Sequence, residues 1–179
     1  MSSWGLRLNS SGNDGKAQAA TSGSRKLHDL LTATGEYSIE AWVIPDNVTQ
    51  GDGGADTARI VSYSGINDVR NFTLGQTLYN YDFLNRSSET DVNGLPALST
   101  NDADERLQAT LQHVVATFDP VNGRRLYVNG EFTNDEDPLA GAALEEWSET
   151  FALVLGNEVS GSDYAWSGSL RFLAIHNRS

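Results

Sequence analysis

Several residue types and patterns are missing from this sequence, and each absence excludes a class of protein or site. The chain contains no cysteine, which excludes disulfide frameworks, zinc–thiolate sites and thiol nucleophiles. No apolar run approaches the roughly 20 residues that a membrane-spanning helix needs, so membrane insertion is not expected. The chain does not open with a charged region followed by an apolar run, so the sequence predicts no signal peptide.

Positive charge is also scarce. The chain has 12 Lys and Arg residues against 24 Asp and Glu residues, which gives a formal net charge of −12. A field of this sign repels phosphate groups, so we expect no nucleic-acid partner. Acidic side chains also offer oxygen ligands to calcium, but a solvated acidic surface is the favoured interpretation of this composition.

The remaining composition fits one domain with an ordinary hydrophobic core. Hydrophobic residues make up 39% of the 179 residues, which is within the globular range. Seventeen glycines against four prolines suit a fold with many tight turns. No repeat, linker or low-complexity tract divides the chain, so we treat residues 1–179 as a single domain.

Alternation of apolar and polar residues dominates the chain. The segment 37–44 places Ile39, Ala41 and Val43 on one face, as in a strand with one buried side. Asn129 and Gly130, directly after an apolar segment, are a strong signal for a tight hairpin. Nine segments are predicted to be strands: 37–44, 59–63, 71–76, 78–84, 113–118, 125–128, 131–132, 151–155 and 170–175. Helical spacing occurs only in 24–31 and, over one turn, in 144–147.

This pattern predicts an all-β fold, a two-sheet antiparallel β-sandwich of the jelly-roll type. The long polar segments 46–57, 87–104 and 133–143 are expected to be loops along one rim. The predicted core comprises Ile39, Ala41, Val43, Ile60, Phe72, Leu74, Val114, Ala116, Phe118, Leu126, Val128, Leu153, Leu155 and Phe172.

Three phrases of the sequence resemble the laminin-G-like domains of the concanavalin A-like lectin/glucanase superfamily. They are YSIEAWV at 37–43, QHVVATFD at 112–119 and RLYVNG at 125–130. The closing segments 155–157 and 166–170 are similar as well, so the resemblance runs from about Leu6 to the C-terminus. It implies a concanavalin A-like jelly roll.

The resemblance also implies a function, although the family hosts several. We expect a non-catalytic recognition module that binds carbohydrate or glycan, as a lectin does. The alternative is a protein-interaction or structural domain of a larger envelope protein with no small ligand, and glycoside hydrolysis is a third hypothesis. Residues 58–62 and 70–76, with Arg86, are similar to a bacterial subgroup. This implies an exported bacterial protein, extracellular or periplasmic, that is a monomer or a module of a larger chain.

Relatives often hold calcium at loop carboxylates, so the resemblance makes calcium a candidate cofactor. The candidate metal ligands are Asn13 and Asp14 in the first loop, with Asn157 and Glu158 late in the chain. In the last strand, where many relatives carry acidic residues, this chain departs from the pattern with Ser-Leu-Arg at 169–171. Because calcium needs six or more oxygen ligands and only pairs are visible, turn chemistry is the favoured interpretation.

No pair of carboxylates predicts a catalytic dyad. A retaining glycosidase needs two carboxyl groups about 5 Å apart, which two alternating positions on one strand face supply. Asp102 and Asp104 alternate, but within a polar loop, while Asp135 and Asp137 are followed by Pro138. We therefore assign no catalytic residue, and the chain is predicted not to be an enzyme.

The segments 59–63, 71–76 and 78–84 carry aromatic and planar polar side chains, the two kinds that bind sugars. The candidate ligand-binding residues are Arg59, Arg70, Asn71, Gln76, Tyr79, Tyr81, Asp82, Asn85 and Arg86. The alternative is that the tyrosines are core residues and the arginines pair internally with Asp82. The sequence does not decide between the two interpretations.

A second candidate is a polar and aromatic patch on the first long strand and its neighbour. Alternation places Glu40 and Trp42 opposite the apolar face, and His113 lies opposite Val114. Because a buried carboxylate must be paired, the favoured interpretation is a buried network in which Glu40 pairs with Arg59 or Arg125.

Overall fold

The computed structural model describes residues 5–9, 15–66, 69–137, 139, 141–161 and 164–179. These residues form strands, one α-helix (α1, Thr21–Thr34) and two short 3-10 helices, Gly54–Asp56 and Asp102–Asp104. The strands are β1 (Leu6–Leu8), β2 (Ala17–Gln18), β3 (Tyr37–Pro45), β4 (Ala58–Ser64), β5 (Arg70–Thr77), β6 (Asn80–Asn85), β7 (Leu98–Ser99), β8 (Gln112–Asp119), β9 (Gly123–Val128), β10 (Glu131–Phe132), β11 (Ala152–Leu155) and β12 (Gly168–His176).

The strands form two six-stranded sheets, and the predicted all-β antiparallel sandwich is confirmed. Sheet A has the order β1-β12-β3-β8-β9-β10, and sheet B has the order β2-β11-β4-β5-β6-β7. Every pairing between these strands is antiparallel. In the part of the chain that the structure describes, no helix is both long and apolar enough to span a bilayer.

The core lies between the two sheets and contains most of the residues that alternation predicted. Ile39 and Val114 of sheet A and Phe72 of sheet B are completely buried. The prediction for Phe172 is wrong, because its side chain is 46% exposed. A register shift between Leu170 and Phe172 reverses the alternation, so that the next residue along, Leu173, packs against the core instead.

Helix α1 is longer than the predicted segment 24–31 and closes one side of the sandwich. Its Leu31 is completely buried, and the Ser24 hydroxyl oxygen accepts a hydrogen bond from the Leu153 backbone N–H at 3.0 Å. Leu153 and Leu155, both predicted to be core, pack against the core while remaining partly exposed. They belong to β11, which lies beside this helix rather than at the centre of its sheet.

The hairpin between β9 and β10 forms where the sequence predicts it. Asn129 and Gly130 have φ angles of +54° and +83°, as the two central residues of a type I′ turn require. The turn places Phe132 directly opposite Tyr127 at the edge of sheet A. Since the turn has only two residues, no loop at this hairpin folds back over the sheet.

Candidate functional site

The nine predicted ligand-binding residues do not share one open surface. Tyr79 is 41% exposed, and the side chain of Arg86 is 18% exposed and lies 3.5 Å from Glu146. The other seven residues are at most 2% exposed: Arg59, Arg70, Asn71, Gln76, Tyr81, Asp82 and Asn85. A sugar therefore cannot touch most of this set in the folded structure.

Arg59 and Arg70 are held by Glu158 on the outer side of sheet B. The Glu158 carboxylate lies 2.9 Å from Nε of Arg59 and 3.5 Å from an Nη atom of Arg70, and all three side chains are buried. The ring of Tyr164 lies 5.5 Å from the Arg59 guanidinium carbon. The arginines thus pair internally, as one interpretation of the sequence expected, but with Glu158 rather than Asp82.

The same outer side carries a second buried polar network around Asp82. Its carboxylate accepts hydrogen bonds from the hydroxyls of Thr57 at 2.7 Å, Ser99 at 2.6 Å and Thr77. Leu84, which shares this side, is completely buried. We call this outer side of sheet B the sealed face, defined by Arg59, Ser62, Arg70, Thr73 and Asp82.

Other members of the predicted set point into the sandwich and join its two sheets. The Tyr81 hydroxyl donates to Oε1 of Gln112 at 2.7 Å, and the Tyr37 hydroxyl donates to Oδ1 of Asn85 at 2.7 Å. Burial raises the pKa of both tyrosines well above the ordinary value. Oε1 of Gln76 accepts a 2.9 Å hydrogen bond from the Trp166 indole. These contacts are those of structural residues.

The predicted metal ligands separate into two groups. Asn13 and Asp14 lie outside the described residues, while Asn157 and Glu158 are both completely buried. Two guanidinium groups beside the Glu158 carboxylate do not suit a calcium ion there. No cluster of three or more His, Asp or Glu side chains that could hold a metal occurs within the described ranges. Calcium at Asn13 and Asp14 stays a prediction, which a calcium-dependent rise in melting temperature, lost in Asp14→Asn, would test.

The outer side of sheet A is open and carries aromatic side chains. Trp42 is 39% exposed, Phe132 is 39% exposed and Phe172 is 46% exposed. Register pairs Trp42 with both Phe172 and His113, and pairs Tyr127 with Phe132. We call this surface the aromatic face, defined by Trp42, His113, Tyr127, Phe132 and Phe172.

Trp42 and His113 form the first aromatic contact of this face. Their ring centroids are 4.8 Å apart with an interplanar angle of 29°, a stacked arrangement. Glu40 lies beside them, with one oxygen 2.9 Å from Nε2 of His113 and the other 3.4 Å from Nε2 of His176. The expected pairing of Glu40 with Arg59 or Arg125 is wrong, because β12 brings His176 to this position and Arg59 belongs to the other sheet.

Tyr127 and Phe132 form the second aromatic contact, at the edge of sheet A. Their ring centroids are 5.4 Å apart. Tyr127 lines two neighbouring surface depressions, with volumes of about 460 and 440 Å³. The first is floored by Val115 and flanked by Thr117 and Arg125, and the second extends to Phe132. A shallow groove therefore runs from the middle of the sheet to its edge.

Comparison with known families matches this architecture. A laminin-G-like family, described as the concanavalin A-like lectin/glucanases superfamily, matches residues 11–179. The chain belongs to this superfamily. Among curated proteins, a sequence search finds no match.

Solved structures share the concanavalin A-like fold at low sequence identity. The CBM40 module of the Ruminococcus gnavus IT-sialidase, solved with α2,3-sialyllactose, has a TM-score of 0.67 and 13% identity over 98% of this chain and 90% of that one. A variant of the NanB sialidase from Streptococcus pneumoniae has a TM-score of 0.67 and 14% identity, over 99% of this chain but 26% of that one. The receptor-binding domain of botulinum neurotoxin type G has a TM-score of 0.51 and 15% identity, over 81% and 35%.

Alternation in the sequence predicts part of the aromatic face. It places Glu40, Trp42 and His113 in one patch but does not connect Tyr127 and Phe132 with it. The signal was present, because a two-residue turn at 129–130 fixes Tyr127 opposite Phe132. Phe172 had no such signal, since its outward position depends on the bulge in β12.

Proposed function

We propose that this chain is a non-catalytic carbohydrate-binding module that binds glycan on its aromatic face. The observation that carries the proposal is the exposed Trp42, stacked on His113 and flanked by Glu40, in a superfamily fold that includes lectins. An aromatic ring face carries partial negative charge and attracts the C–H groups on the flat side of a sugar. Polar groups beside the ring are then placed to bond with the sugar hydroxyls.

The environment of two candidate carboxylates, Asp137 and Asp102, argues against a role in hydrolysis. Asp137 accepts hydrogen bonds from Nε and Nη2 of the buried Arg124, both at 2.8 Å. Asp102 accepts a hydrogen bond from the Asn80 side chain. A carboxylate held in this way is already engaged, whereas a glycosidase needs two that flank the scissile bond.

Two kinds of structural neighbour support the coarser role of a recognition module. One of them was solved with sialyllactose, and another is a receptor-binding domain. Because this chain spans only about a quarter of the NanB structure, we include in the proposal that it serves as a module of a larger exported bacterial protein. Recognition of a protein partner is the second candidate, since one structural neighbour is described as a receptor-binding domain.

A glycan array tests the proposal, followed by calorimetric titration of each positive glycan. The expected result is saturable binding that free sugar competes away and that Trp42→Ala weakens at least tenfold, equivalent to about 1.4 kcal/mol. Trp42→Phe keeps a ring at this position and should retain most of the affinity. Absence of binding across neutral and acidic glycans would contradict the proposal and leave the protein-partner candidate. Release of reducing ends would contradict the non-catalytic assignment.

A further inference from the structure

We infer that the aromatic face takes an extended, uncharged glycan of several sugar units, laid across the strands of sheet A. This inference rests on the proposed function and adds the class of glycan. One end of the glycan would stack at Trp42 and Phe172, and the other end at Tyr127 and Phe132. We call these the two aromatic pairs.

A ligand that contacts both aromatic pairs must have several sugar units, because the pairs are far apart. Trp42 lies on β3, and Tyr127 lies on β9, two strands away. The register offsets the two residues by two positions along the strands, since Trp42 pairs with His113 and Tyr127 pairs with Val115. With strands about 4.8 Å apart, the two side chains are separated by roughly 12 Å, and the whole face from Phe172 to Phe132 spans on the order of 20 Å. One sugar ring cannot touch both pairs, but a chain can.

Val115 lies between the two aromatic pairs and borders a depression at Tyr127. Val115 pairs in register with both Glu40 and Tyr127, and it forms a half-buried apolar floor between them. Thr117 and Arg125 flank the depression above this floor. The depression therefore offers polar groups to a sugar beside Tyr127, and Val115 is the residue that connects it with Glu40, next to Trp42.

Charge disfavours an acidic glycan on this face. Glu40 presents a carboxylate beside Trp42, and its oxygens already face His113 and His176. The chain as a whole carries a net charge of −12. Arg59 and Arg70 lie on the sealed face and are buried against Glu158, so a sugar carboxylate cannot reach them. Arg125 is a cation on the same side of sheet A, near Asp119. Burial raises the pKa of the Asp119 carboxyl, but hydrogen bonds from Asn122 and Val121, together with the smaller effect of the Arg125 charge, outweigh burial and lower it overall.

The test is a calorimetric titration with cello-, xylo-, manno- and chito-oligosaccharides, each from disaccharide to hexasaccharide. For the oligosaccharides that bind, we expect affinity to rise about tenfold or more with length, the equivalent of about 1.4 kcal/mol. Tyr127→Ala should remove the rise, so that the hexasaccharide binds this variant no more tightly than the disaccharide does, and Trp42→Ala should weaken every length. Leu30→Ala is the matched control, because it truncates an exposed side chain of helix α1 that does not belong to the aromatic face. If Tyr127→Ala fails to fold, Phe132→Ser on the exposed edge strand replaces it.

Lactose and α2,3-sialyllactose provide the charge comparison at low salt. We expect the sialylated sugar to bind no more tightly than lactose, and any preference for it would overturn the inference. Affinity that is independent of length, or insensitive to both Tyr127→Ala and Phe132→Ser, would also overturn the inference while leaving glycan binding itself intact. Failure of every neutral and acidic sugar to bind would overturn the proposed function as well.

Discussion

The two outer faces of this sandwich have opposite characters although both belong to antiparallel six-stranded sheets. On sheet A, Trp42 and Phe172 are exposed to solvent and line an open surface. On sheet B, Arg59, Arg70 and Asp82 are buried under other parts of the chain and bonded within it. Polar residues are thus buried on the sealed face, while aromatic residues are exposed on the aromatic face.

The connections between strands account for the difference. The open face is bordered by tight turns, such as the one at Asn129 and Gly130. The sealed face is crossed by longer segments, and the Ala55 carbonyl in one of them accepts hydrogen bonds from the guanidinium groups of both Arg59 and Arg70, at 3.0 and 3.5 Å. In this molecule, the length and path of the loops decide which sheet face can meet a ligand.

The largest effect is expected where the sealed face loses its charge balance. Glu158→Ala leaves two buried guanidinium groups without this carboxylate, so the free energy of unfolding should fall by about 3–5 kcal/mol. Urea denaturation measures the change. Glu146→Ala removes a more exposed partner of Arg86 and should cost less than about 1 kcal/mol. Equal losses in the two variants would show that the face is not sealed as described.

Arg124 extends the comparison of buried ion pairs to sheet A, because it is a buried arginine in the sheet that carries the aromatic face. Burial raises the pKa of the Asp137 carboxyl, but hydrogen bonds and charge from Arg124 outweigh this effect and lower it overall. Ionised Asp137 therefore contributes its full stabilisation above the unfolded pKa of about 4. This stabilisation is lost as the pH falls through the lower pKa that Asp137 has in the folded protein.

Asp137→Asn should destabilise the protein at neutral pH and flatten the decline of stability below about pH 4. Unfolding free energies measured from pH 7 to the acid range check both effects. Glu136→Gln, at an exposed neighbouring position, is the control and should follow the parent protein. If the free energy of unfolding falls at acid pH in Asp137→Asn as it does in the parent protein, this ion pair is not the cause of the fall.

The smallest effect on stability is expected on the open face. Phe172→Ala removes an exposed side chain, so the free energy of unfolding should change by no more than about 0.5 kcal/mol. Glycan affinity should nevertheless fall several-fold, because the ring borders Trp42. Thermal unfolding and calorimetric titration of the same sample check the two effects together. A large loss of stability would indicate that Phe172 packs inward, as alternation alone predicted.

Much of the fold could be predicted from the sequence because period-two alternation follows directly from strand geometry. Strands β3, β8 and β9 and the hairpin at Asn129 and Gly130 are confirmed. The outward position of Phe172 could not be predicted, since one bulge reverses the faces of a strand. The burial of Arg59 and Asp82 could not be predicted either, because it depends on the path of distant loops, which local patterns do not encode.

The most direct test of the central claim is a paired titration of Trp42→Ala and Tyr79→Ala with a glycan that binds the parent protein. The two rings are similarly exposed, at 39% and 41%, but Trp42 lies on the aromatic face and Tyr79 is one of the ligand-binding residues that the sequence predicts. We predict that Trp42→Ala weakens binding at least tenfold, equivalent to about 1.4 kcal/mol, and that Tyr79→Ala binds like the parent. The reverse result would contradict a site on the aromatic face and place it on the side of sheet B.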